Sequence, residues 1–64
     1  MMQTSCKDGT FVHAVGNIIH CSDGTSYVWT GYGLSGPYGM ASGNCRTINE
    51  AFGIVVGLHG GSAF

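Results

Sequence analysis

The chain has 64 residues and a formal net charge of −1, with 8% of its residues charged and 44% hydrophobic. A chain of this length builds one thin core, burying about 60% of its unfolded surface. Lys7 and Arg46 are its only fixed cations, which excludes the basic footprint that nucleic acid or an anionic membrane would require.

The first five residues, Met1-Met2-Gln3-Thr4-Ser5, lack the basic stretch and apolar run of a signal peptide. The longest apolar segment, Ala51 to Leu58, falls well short of the ~20 residues needed to cross a bilayer. A cytoplasmic protein is therefore expected. Three cysteines, Cys6, Cys21 and Cys45, cannot all pair within one chain, and no CxxC spacing occurs, so reduced core thiols are expected.

In chain order, a fifteen-residue repeat comes first. Cys6-Lys7-Asp8-Gly9-Thr10 matches Cys21-Ser22-Asp23-Gly24-Thr25, and each is followed seven residues later by a glycine, Gly16 and Gly31. A third, degenerate copy aligns Gly39 with Gly9 and Gly24, and Leu34 with Thr4 and Ile19. Asp-Gly and Gly-Asn pairs supply the positive φ of two-residue hairpin turns. Reversals at Asp8-Gly9, Gly16-Asn17 and Asp23-Gly24 therefore separate four strands, near 2–7, 10–15, 18–22 and 25–30, and residues 1–30 read as an antiparallel meander. Residues 31–46 hold many glycines and the single proline, and read as a loop or an irregular hairpin turning at Pro37-Tyr38-Gly39. The string Gly31-Tyr32-Gly33-Leu34-Ser35-Gly36 spells GxGxxG, but no helix pattern follows it directly, and a nucleotide site is not expected.

Residues 47–60 read as a helix. Thr47-Ile48-Asn49-Glu50 has capping-box spacing, Ile48, Ala51, Phe52, Val55 and His59 recur at helical intervals, and Gly60-Gly61 offers a stop. A strand at Ile54-Val55-Val56 is the competing reading. Gly53 and Gly57 each cost about 1 kcal/mol relative to Ala inside a helix, which predicts a compensating close approach of the sheet or of another helix. The expected fold class is α+β, a small antiparallel β-meander of about four strands followed by one C-terminal helix.

Two-residue turns would set one register. In it one sheet face carries Met2, Thr4, Phe11, His13, Val15, Ile18, His20, Tyr27 and Trp29. The other carries Gln3, Ser5, Val12, Ala14, Ile19, Cys21, Ser26 and Val28, whose smaller side chains suit a helix lying close. One helix cannot cover both faces, so the bulky face is expected to mediate self-association as a symmetric dimer or larger assembly.

That register also aligns Thr4, His13, His20 and Tyr27 in one cross-strand row, with neighbouring Cβ atoms ~5 Å apart. Imidazole can act as donor, acceptor or ligand near neutral pH. The candidate ligand- or partner-binding residues are accordingly His13, His20, Tyr27, Trp29 and Phe11. His20 and Cys21 point to opposite faces and no zinc-binding motif is present, so neither a metal site nor a cofactor is expected. Cys45, beside Arg46 and just before the helix cap, is the one cysteine in a thiolate-favouring position. Asp8, Asp23 and Glu50 are explained by two turns and one cap.

The Gly16-Asn17 to Asp23-Gly24 unit, flanked by Gly31, resembles the degenerate hairpin repeats of small uncharacterised proteins of bacteria and their prophages. The resemblance implies a phage or prophage setting and brings no activity with it. The leading expectation is a non-enzymatic, homo-oligomeric binding module acting on a host protein or a small ligand. The alternatives are a small enzyme with an inter-subunit His/Tyr or Cys site, and a structural assembly protein.

Overall fold

In a computed structural model, residues 2–63 are described. Six strands, β1 (Met2–Ser5), β2 (Phe11–Val15), β3 (Ile18–Cys21), β4 (Ser26–Trp29), β5 (Leu34–Gly36) and β6 (Gly39–Ser42), precede one helix, α1 (Ile48–Leu58). All six form a single antiparallel meander in sequence order. The α+β class and the C-terminal helix are as expected, but the strand count is higher. Residues 31–46, read as a loop or irregular hairpin, supply β5 and β6, joined at Gly36↔Gly39 across Pro37-Tyr38. Too short and glycine-rich to signal strands by propensity, they pair because Trp29↔Leu34 and Val28↔Ser35 extend an existing sheet edge.

The two Asp-Gly reversals differ from the expected two-residue turns. Cys6 N–H donates to Thr10 O (2.8 Å) and Gly9 N–H to Cys6 O (3.0 Å); Cys21, Thr25 and Gly24 repeat this pattern at 2.9 and 3.1 Å. These are three-residue loops, a turn followed by a positive-φ glycine, with φ of 90° at Gly9 and 96° at Gly24. The aspartate follows from this geometry: Asp8 Oδ1 accepts from Thr10 N–H (2.8 Å) and Asp23 Oδ1 from Thr25 N–H (2.9 Å). Only Gly16-Asn17 is the expected two-residue turn, closing Val15↔Ile18, with φ of 63° at Gly16.

One extra residue in each Asp-Gly loop shifts the register of β1 on β2 and of β4 on β3 by one. Thr4 pairs with Val12 instead of His13, and His20 with Ser26 instead of Tyr27. Because side chains alternate with period two, Met2, Thr4, Tyr27 and Trp29 move to the face of Val12, Ala14, Ile19 and Cys21, while Gln3, Ser5, Ser26 and Val28 move to the face of His13 and His20.

The helix lies on the first of these faces, contacting β2 and β4. Ala51, Val55 and Val56 pack with Val12, Ala14, Ile19, Cys21 and Leu34, extended by the buried thiols of Cys6 and Cys45. Thr47 caps the helix, its Oγ1 accepting from Glu50 N–H (3.1 Å), while Glu50 Oε1 accepts from Arg46 N–H (2.9 Å), one residue earlier than a standard capping box. At the other end Gly61 N–H donates to Val56 O and Gly60 N–H to Gly57 O, the paired bonds of a Schellman stop. The helix reading therefore holds and the competing strand at 54–56 does not. The expected close approach at Gly53 and Gly57 does not hold: a Cβ at either position would meet nothing within 4 Å.

Candidate functional site

None of the six strands contains a charged residue, so neither sheet face carries strand charges. The helix covers one face, and the other is left open. Its register defines two transverse rows: Gln3, His13, His20 and Ser26, and Val15, Ile18, Val28, Ser35 and Met40. Phe11 stands beside them, held by a backbone N–H that donates to Ser22 Oγ (2.9 Å). The apolar members are well exposed: Phe11 57%, Val15 51%, Val28 40% and Met40 73%. Together they form an uncharged apolar strip exposed on one face.

His13 and His20 face each other at the centre of this surface, their rings stacked with centroids 5.1 Å apart and planes 24° from parallel. The fold thus brings together three of the five candidate residues, Phe11, His13 and His20. Tyr27 and Trp29 it does not. Tyr27 is half-buried on the helix side, its ring lying over Gly36, where a Cβ would come within 2.8 Å of Cε2. Burial pushes its hydroxyl pKa up. Trp29 is half-buried on the same side, and its Nε1 donates to Cys45 O (2.9 Å), tying the sheet to the segment ahead of the helix. The expected Thr4, His13, His20, Tyr27 row is therefore two rows on opposite faces, and His/Tyr acid–base chemistry has no common site within one chain.

The thiols are equally enclosed. Cys45 is fully buried, and burial is the main cause raising the pKa of Cys6 and Cys21, which keeps both protonated. All three cysteines are free. Among the described residues no group of three or more His, Cys, Asp or Glu is placed to hold a metal ion, and no helix is long and apolar enough to cross a membrane. The GxGxxG string runs into β5 without opening a helix.

Sequence reasoning missed two features. Asp8 Oδ2 lies 2.8 Å from Nδ1 of His59, so the first reversal is pinned to the residue that ends the helix, while His59 Nε2 is buried without a hydrogen-bond partner. The two residues stand far apart in sequence, and nothing in either pattern signals the contact. A cavity of about 220 Å³ also lies between Leu58 and the β5–β6 hairpin, lined by Tyr27, Pro37, Tyr38 and Met40. It exists because the helix spans β2 to β4 and leaves the added hairpin uncovered.

Fold and surface together define a small six-strand antiparallel meander, backed by one helix, with an open, uncharged face. No protein family, characterised protein or solved structure matches the chain.

Proposed function

We propose that the protein is a non-enzymatic, homo-oligomeric interaction module whose open sheet face binds another protein or a small apolar ligand. One observation carries the reading: a whole face of a six-strand sheet bears Phe11, Val15, Ile18, Val28 and Met40 around a stacked histidine pair, with no charged residue among them. Desolvating such a face costs little, and its apolar side chains return about 25 cal/mol per Å² buried. His13 and His20 share the open face, but Tyr27 lies on the opposite one and the cysteines are buried, which favours binding over turnover. A prophage-encoded module acting on a host protein fits this surface and the hairpin repeat.

The test places a charge in the middle of the face. Val28→Lys puts an ammonium on an exposed side chain, so the fold should survive with an unchanged far-UV circular dichroism spectrum. Binding of an apolar fluorescent dye, or the native mass if copies use this face against one another, should fall. A Val28→Lys protein indistinguishable from wild type in both dye binding and mass overturns the reading.

A further inference from the structure

The cavity between Leu58 and the β5–β6 hairpin is built differently from the open face. It holds about 220 Å³, and none of the residues lining it is charged. A dry cavity of about 150 Å³ takes up benzene, so this one has room for two fused rings. Tyr27 is its fixed wall. The ring lies so close over Gly36 that a Cβ there would come within 2.8 Å of it, which holds the ring in place before anything binds. Its hydroxyl takes part in none of the hydrogen bonds formed among the described residues. Burial first, then the neighbouring Cys21, Asp23 and Tyr38, raise its pKa, so the oxygen keeps its proton at neutral pH. A half-buried phenol in this state has a donor to offer. Tyr38 and Leu58 flank the cavity and are 98% and 58% exposed, so a molecule seated between them also takes their apolar surface out of water.

We propose that this cavity binds an uncharged, planar aromatic molecule of one or two fused rings, with a hydrogen-bond acceptor that receives the Tyr27 hydroxyl. Three features select this class. The uncharged lining would strip a charged ligand of its hydration and return no partner. Two tyrosine rings favour a flat aromatic guest, because aromatic pairs gain attraction beyond the area they bury. The hydroxyl of Tyr27 calls for an acceptor, since hydrogen-bond partners single out one guest among molecules of equal size. The inference is independent of the proposed function: Tyr27 stands on the helix side of the sheet, whereas Val28 stands on the open face.

Quinoline in its uncharged form, and naphthalene, its isostere without an acceptor, are the probes. Titrated into the full chain and followed by amide chemical shifts, quinoline should move Tyr27, Tyr38 and Leu58 and bind more tightly than naphthalene. Tyr27→Phe should weaken quinoline about three- to tenfold and leave naphthalene unchanged. Leu58→Lys, a substitution suited to a helix C-terminus, should weaken both probes severalfold, while Val28→Lys should weaken neither. Absence of binding by quinoline overturns the proposal, as does equal quinoline binding by wild type and Tyr27→Phe. Shifts confined to Phe11, Val15 and Val28, with binding lost in Val28→Lys but kept in Leu58→Lys, overturn the cavity site and leave the open-face reading standing.

Discussion

Asp8 and Asp23 show how much one residue type decides in this chain. Asp23 accepts from the hydroxyl (2.6 Å) and the amide of Thr25, and Asp8 accepts from the amide of Thr10; these hydrogen bonds hold both carboxyl groups below the usual carboxylate pKa. The sign follows from linkage. A group with a depressed folded pKa contributes its full stability above the unfolded value, about pH 3.9 for aspartate, and loses it as pH falls through the folded value. Thermal melts taken from neutral pH down through the carboxylate range should therefore show a loss of stability that is smaller in an Asp8→Asn, Asp23→Asn double variant, and identical acid profiles would contradict the role given to these turns. Trp29 makes a different point. Predicted as a binding residue, it instead holds Cys45 O. Trp29→Phe keeps most of the packing and leaves that carbonyl without its donor, which should cost about 1–3 kcal/mol in denaturant unfolding and leave dye binding at the open face unchanged.

At the scale of elements, the helix is made by its ends and by one stripe. Thr47, Glu50, Gly60 and Gly61 satisfy its terminal groups, and Ala51, Val55 and Val56 bury its inner side. Gly53 and Gly57 lie outside that stripe with open space beyond them. With no close approach to preserve, Gly53→Ala and Gly57→Ala should each stabilise the fold by up to about 1 kcal/mol, read as a rise of roughly 4–8 °C in Tm for a domain of this size. A fall in Tm would mean that something packs against this side of the helix in solution. The β-hairpins were legible in part. The fifteen-residue repeat aligned Gly9, Gly24 and Gly39, which have φ of 90°, 96° and 110°, and Thr4, Ile19 and Leu34, of which Ile19 and Leu34 are fully buried and Thr4 is half-buried. Loop length was not legible, because Asp-Gly suits both a two-residue turn and a three-residue loop with a trailing positive-φ glycine, and the choice is settled by how flanking strands twist and pack.

For the whole molecule, the consequence is an asymmetric sheet, one face covered by the helix over β2 to β4 and the other open. Replacing His13 and His20 together by Gln separates binding from chemistry. Both rings lie on the open face and stack on each other across β2 and β3, so a binding module should keep its fold and native mass and change dye binding by no more than a few-fold. Any catalytic turnover measured for wild type that vanishes in this variant, with the fold intact, would shift the assignment to an enzyme. Two candidates, Tyr27 and Trp29, left the site for the same reason that Val28 joined it: a one-residue offset at Asp23-Gly24 exchanges the faces of every side chain in β4.

Sequence alone determined the α+β class, the reversals at glycine, the helix with its caps, and the shortage of charge, because each depends on local backbone preference or on composition. Tertiary structure decided the loop lengths, the faces of β1 and β4, the recruitment of β5 and β6, and the contact between Asp8 and His59. Those features are fixed by which strand lies beside which, and pairing energy between distant segments leaves no periodic mark on the chain.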